Sequence, residues 1–286
     1  MNTLFIFGYG FSASYFAQHY LQQGWKVLAT ARQPMDVPGV EMIRFDEDHP
    51  IEDITERLRD VTHILHSIPP HKETGDCVFN LHAPDLEKLP NLHWMGYLST
   101  TGVYGNADGE MVDESSPRHP TSARARARKQ AEDNWLASTL PLHIFRLAGI
   151  YGPGRSIFES ITKGRAKAID KPGHAFSRIH VKDIAGVLHA SVAHPHPGSV
   201  YNVCDDEPLE PLTVLKTACH IMGADLPPVQ SFEEAAKDMS PMALTFWNDN
   251  KRVDNSKIKN ELGYQLRYPD HTRGLKAVWK ERQTHG

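Results

Sequence analysis

The chain has 286 residues, enough for one large domain or for a core domain with a smaller one attached, and its 40% hydrophobic and 23% charged residues are ordinary for a globular protein. A formal net charge of -4 excludes the basic footprint of a nucleic-acid binder, leaving a small molecule or another protein as the expected partner. Three widely spaced cysteines, Cys77, Cys204 and Cys219, exclude a disulfide framework and a zinc knuckle and fit a reducing cytoplasm, and no stretch is long enough to span a bilayer.

Leu4 to Phe7 is a continuous apolar run that enters a glycine-rich turn, and Ser12 to Leu21 carries apolar residues at helical spacing before Gly24. Because no basic region precedes the run, it reads as a first strand and not as a leader. Trp25 to Ala29 and Val40 to Phe45 predict two more strands, Ile51 to Leu58 a helix, and "HILHSI" a fourth strand ending at Pro69. The stretch after it, "HKETGDCVFNLHAPDLEKLPNLH", reads as short and irregular. Buried strands in "HWMGYLST" and "PLHIFRLA" bracket an arginine-rich helix from Ser122 to Ser138, followed by a helix in "VKDIAGVLHASVAH" and a strand in "SVYNVCDD".

Strands alternating with helices imply right-handed crossovers and a parallel sheet covered on both faces, the α/β class. From Glu207 the pattern changes to helices with proline-rich connections such as "LPPV" and "SPMALTFW". The expected organisation is a domain over 1–204, of which 152–177 contribute to the substrate side, and a smaller domain over 205–286. Phe246 and Trp247 read as core of that smaller domain, with packing on a substrate as the alternative.

The first crossover carries a Gly-x-Gly-x-x-Ala turn, Gly8, Gly10 and Ala13, with Tyr9, Phe11 and Ser12 between. Glycines there let backbone N–H groups approach a pyrophosphate while the helix N-terminus supplies partial positive charge, so the turn points to a dinucleotide; the alternative is a tight turn without a ligand. The second strand ends in "ATARQ", with Thr30 and Arg32 where an NAD site usually offers an acid. A guanidinium there pairs with a 2'-phosphate, which favours NADP over NAD, unless Arg32 is a solvated surface residue. Asp46 is a candidate for the adenine end or simply part of an acidic loop, and Ser67, Ile68 and Pro69 close the fourth strand beside the same crevice.

"FGYGFSA", "LSTTGVYG", "RLAGIYGPGR", "RIHVKDIAGVL" and "YNVCDDEP" follow one another in an order and spacing that resemble the extended short-chain dehydrogenase/reductases, the epimerase and dehydratase branch, and "KRVDNSKIKNELGYQLRYPDHTRGL" is similar to that branch's C-terminal end. The resemblance implies a Rossmann-type doubly wound sheet binding NAD or NADP, a small mixed substrate domain, and an oxidoreductase or epimerase acting on a carbonyl or alcohol, with nucleotide sugars the commonest substrates. It puts Thr100 at the family's catalytic Ser/Thr, with Ser99 adjacent, where a hydroxyl hydrogen-bonds the reacting oxygen. The dehydratase branch places acids immediately after that position, whereas Thr101 and Gly102 stand here.

The same frame laid on "PTSARARARKQAE" puts Arg124 at the family's tyrosine and Arg128 at its lysine. Arginine stays protonated and has no acceptor lone pair, so it cannot relay the proton that tyrosine moves. Arg128 remains able to donate to a nicotinamide ribose, and the two residues, about 40° apart on one helical face, form forks suited to a phosphate or carboxylate. The alternative is a solvent-facing helix supported by an Arg128–Glu132 pair, and Arg126 is the expected solvent-facing member.

Tyr104, Tyr151 and His180 are the remaining proton donors by position, each with a structural role as its alternative. Arg155, in "IYGPGR", suits a substrate phosphate or carboxylate, or else belongs to a connecting turn. The 17 histidines show no metal-binding spacing, and His66, His71, His82, His189, His194 and His196 read as scattered surface residues, so no metal is expected. A monomer or a homodimer is compatible with the sequence.

Overall fold

The structure is a computed structural model that describes residues 2–285; the side chain of Phe246 lies outside the described residues. In chain order the first half runs β1 (Thr3–Phe7), α1 (Phe11–Gln22), β2 (Lys26–Ala31), β3 (Val40–Arg44), α2 (Ile54–Arg57), β4 (His63–His66), α3 (Cys77–Leu86) and β5 (Trp94–Thr100). Then come β6 (Met111–Val112), α4 (Ala123–Leu136), β7 (Leu142–Leu147), β8 (Gly149–Tyr151), α5 (Ile157–Thr162), β9 (Ala168–Asp170), β10 (Arg178–His180), α6 (Val181–Ala193) and β11 (Val200–Val203). The chain ends with α7 (Pro211–Met222), β12 (Val229–Ser231), α8 (Phe232–Ala236), α9 (Pro241–Asn248), β13 (Arg252–Val253), α10 (Ser256–Asn260) and α11 (His271–His285).

Seven strands form one parallel sheet in the order β11-β7-β5-β4-β1-β2-β3. Their apolar runs are dictated by burial on both faces, because a side-chain period of two sends alternate residues to opposite sides. Leu4 and Ile6 of β1 pack with Phe16 of α1 and Leu188 of α6, whereas Phe5 and Phe7 pack with Val78 of α3 and Trp135 of α4. The strand order reverses between β1 and β4, which opens a crevice at their C-terminal ends.

Two sequence expectations are corrected. The stretch after β4 contains the ten-residue helix α3, started by Asp76, whose side chain accepts from the N–H groups of Val78 and Phe79. The helix expected over Ile51 to Leu58 shrinks to the four residues of α2, preceded by Asp53 in the left-handed region.

Beyond the sheet, Phe158, Val214, Leu275 and Val278 share a separate core, built by α5, α7 and α11. Trp247 stacks on His174, with centroids 5.5 Å apart, and meets Phe176 and Phe232 edge-on or tilted. Trp247 is half-buried within this aromatic group.

Candidate active site

At the mouth of the crevice, Gly8 adopts φ +85°, a conformation that disfavours any side chain, and a Cβ there would lie 2.7 Å from Ile68 Cγ1. The turn is anchored from β2: Gly8 N–H donates to Thr30 Oγ1 and Tyr9 N–H to the Thr30 carbonyl, both at 2.9 Å. Thr30 is thereby a buried structural anchor and offers no hydroxyl to a ribose. Gly10 caps α1 without a side chain, so the first-turn N–H groups carry no side-chain cap and suit an anion. Ser12 and Ala13 are buried beneath the turn, while Phe11 is half-buried and lies 5.6 Å from the Arg155 guanidinium. Folding thus brings Arg155 across to the glycine turn.

Ser67, Ile68 and Pro69 follow β4 directly, with Ser67 N–H on the Phe7 carbonyl and Ile68 N–H on His66 Nδ1. Arg32 is exposed one residue past the end of β2. Asp46 is engaged in its own turn, 2.6 Å from His49 Nδ1 and accepting from Asp48 N–H, and the His49 hydrogen bond holds its carboxyl below the usual carboxylate range.

At the end of β5, Thr100 and Ser99 part company. Thr100 is half-buried; its Oγ1 accepts from Gly102 N–H at 3.1 Å, and its own proton has no acceptor among the described residues. Ser99 is buried and donates to Glu132 Oε1 at 2.5 Å. Glu132 also takes Arg146 through Nε and Nη2 and Arg118 through Nη1. Tyr104 closes this network, its hydroxyl accepting from Arg146 Nη1 at 2.8 Å and donating to Asn202 Oδ1 at 2.7 Å. Burial pushes its phenol up to about 12. Ser99 and Tyr104, expected among the catalytic groups, lie in this buried framework, where both hydroxyls donate to protein acceptors.

The two arginines of interest lie on α4, which Ser122 caps by accepting from Ala125 N–H. Gly102, in the turn after β5, packs against Ala125, so the start of α4 adjoins Thr100. Arg124 lies on the face that farther along buries Ala131 and Trp135, yet it is itself exposed. Arg128 is half-buried, and its Nη1 donates to the Leu98 carbonyl at 2.6 Å and to the Tyr97 hydroxyl at 3.2 Å. The Arg128–Glu132 pair is therefore corrected: Glu132 turns inward to Arg146 and Arg118. Arg126 is exposed and donates to the Thr121 carbonyl, the solvent-facing position expected of it.

Tyr151 and His180, expected on the substrate side, lie next to each other. Paired across β8 and β10, both are buried, with rings 5.2 Å apart. Tyr151 packs against Gly274 of α11, and burial with nearby Asp205 raises its phenol strongly. His180 caps α6 through Nδ1, which accepts from Lys182 N–H, and burial lowers it to about 3. Its neighbour Asp183 ties α6 to the segment before α11 by accepting from Tyr264 Oη–H and the Arg267 and Tyr268 N–H groups.

The reading of the histidines as surface residues also needs correction. His66 and His82 are buried, and His66 Nε2 is 2.8 Å from Asp76, which also accepts from Trp135 Nε1. Lys251 was not singled out by the sequence. It donates to the Gly105 carbonyl beside the turn after Thr100, and burial lowers its pKa. The sequence signal for Tyr97 was available in the period of two, which puts it with Ser99 on the α4 side of the sheet.

No protein-family model matches the chain. It is 26% identical to protein YeeZ of Escherichia coli, over 94% of this chain and 97% of that one. A solved structure of a functionally unknown conserved protein from Silicibacter pomeroyi is 44% identical, with a TM-score of 0.89 over 99% of this chain and 100% of that one. A dTDP-glucose 4,6-dehydratase from Bacillus anthracis, solved in complex with NAD, is 18% identical, with a TM-score of 0.80 over 100% of this chain and 98% of that one. The seven-stranded parallel sheet, with the glycine turn at its switch point, is shared over the full length with these neighbours, so the chain has the doubly wound fold of the dTDP-glucose 4,6-dehydratase structure.

Proposed function

We propose that the chain is an atypical NAD(P)-dependent oxidoreductase or epimerase-like enzyme acting on a carbonyl or alcohol of a small anionic substrate. The observation that carries this reading is Thr100, a hydroxyl at the end of β5 whose proton has no acceptor among the described residues, next to the start of α4. A bound nicotinamide would supply hydride exchange. Thr100 would donate to the reacting oxygen, while Arg124 and Arg128 orient an anionic group and cannot accept a proton. Gly8, Tyr9, Gly10, Phe11, Ser12 and Ala13 are assigned to the pyrophosphate, Ser67, Ile68 and Pro69 to the crevice floor, and Arg155 to a substrate phosphate or carboxylate near Phe11. Arg32 favours NADP over NAD, and Asp46 remains assigned to the adenine end through its outer edge.

We assign 1–204 with NAD(P) binding and 205–286, with 152–177, to the substrate side, in a chain held as a monomer or homodimer in the cytoplasm. Three free cysteines suit that reducing compartment. Among the described residues no helix is long and apolar enough to cross a membrane.

The test is calorimetric titration with NADPH, NADP, NADH and NAD in turn. Micromolar or tighter binding with a phosphate preference is the expected result, and no binding of any of the four overturns the reading. A second reading, a non-catalytic NAD(P)-binding sensor, is favoured by the arginines that stand in place of the tyrosine and lysine. It expects binding without turnover on any carbonyl or alcohol panel.

A further inference from the structure

We infer that Tyr97 is the positioning residue of Arg128, and that together they make a fixed two-donor fork at the end of β5; the inference rests on the proposed function and deepens it. A guanidinium offers five N–H donors. In Arg128, Nη1 spends its two on the Leu98 carbonyl and the Tyr97 hydroxyl, while Nε and Nη2 have no partner among the described residues. The remaining Nε–Nη2 edge has the spacing that receives two oxygens side by side.

Tyr97 is itself held rigidly. It is fully buried in β5, and its ring stands edge-on to His66 at 5.0 Å. His66 in turn is fixed by both oxygens of Asp76, and Asp76 by Trp135 of α4 and by the first turn of α3. The Arg128 guanidinium carbon lies 5.5 Å from the Tyr97 ring centroid, so the seat combines a hydrogen bond with cation–π attraction. A lysine ammonium is a point charge and would not present a planar edge from this seat.

The chemistry shared by the possible occupants is a pair of adjacent acceptor oxygens, from either a cofactor ribose diol or a substrate carboxylate or phosphate. The experiment is a double-mutant cycle with Tyr97→Phe, Arg128→Lys and the double variant. Each protein is titrated calorimetrically with NADP, and then with inorganic phosphate after saturation with NADP, and thermal melts confirm folding. A Tyr97→Phe loss of roughly tenfold in one arm, absent when Arg128 is already lysine, is the expected result, and the arm that responds identifies the source of the oxygens. Equal losses from Tyr97→Phe in both backgrounds, or no loss in either arm while wild type binds NADP, overturn the positioning role. Failure of wild type to bind any nucleotide instead overturns the proposed function, with the phosphate arm on the free protein still testing the fork.

Discussion

Glu132 of α4 and Arg146 of β7 form a two-point ion pair inside the protein, with Arg146 Nη2 2.8 Å and Nε 3.2 Å from Glu132 Oε2. Glu132 is fully buried, and Ser99 and Arg118 fill its remaining acceptor positions. Removing the carboxylate strands a buried guanidinium, so Glu132→Ala is expected to cost about 3–5 kcal/mol. Urea unfolding followed by circular dichroism checks this; a loss below about 1 kcal/mol would show that water reaches the pair.

The contrast between neighbours in β5 separates chemistry from framework. Thr100→Ala is expected to cost only about 0.5–2 kcal/mol, for the lost bond from Gly102 N–H, and to abolish turnover, because the Thr100 proton has no acceptor among the described residues. Ser99→Ala removes a charge-assisted bond and should cost about 1.5–3 kcal/mol while retaining NADP binding. Full activity in Thr100→Ala, once a substrate is in hand, would remove that residue from the mechanism.

Gly8→Ala places a methyl group 2.7 Å from Ile68 Cγ1 on a backbone at φ +85°. A destabilisation of about 1–3 kcal/mol is expected, with loss of nucleotide binding even where the variant remains folded. Unchanged NADP affinity by calorimetry would dissociate the turn from the cofactor.

Arg32 is exposed at the end of β2, so its replacement should act on binding and hardly on folding. Arg32→Asp is expected to shift the NADPH to NADH affinity ratio by roughly tenfold or more towards NADH. An unchanged ratio would return Arg32 to the solvated surface.

Stability should fall in acid. His63 and His143 are lowered to about 4, and His180 and His189 to about 3, each chiefly by burial. Because the unfolded chain takes up these protons first, near pH 6.5, their contribution is complete above that pH and is lost as pH falls towards the folded values, by up to about 1.4 kcal/mol per unit and histidine. Asp205 acts in the opposite sense: burial raises it to about 8, so its contribution is complete below the unfolded value and lost as pH rises through 8. Urea midpoints are expected to drop from pH 7 to pH 5, and Asp205→Asn should exceed wild type at pH 8 by a margin that narrows as pH falls. A flat profile would mean that these groups are solvated in the folded state.

The alternation of apolar runs with helical segments was enough to establish the parallel sheet, because strands such as β1 and β4, buried on both faces, leave a continuous apolar signature. The glycine turn was legible for the same local reason: Gly8 needs a positive φ, and a Gly-x-Gly spacing at the first crossover advertises it. Helix α3 was missed because its start depends on Asp76, a single cap in a stretch interrupted by Pro84.

What the sequence by itself determined about this protein is the scaffold and the place of the crevice, since both follow from local periodicity and backbone geometry. The tertiary structure alone decided which polar side chains face it. Ser99 and Thr100 are adjacent and chemically alike, yet only Ser99 meets Glu132, 33 positions away, while Tyr104 meets Asn202, 98 away. A buried hydroxyl or charge is held by partners that the crossovers bring from distant strands, and desolvation makes those partnerships obligatory, so the division between framework and site is settled by long-range packing.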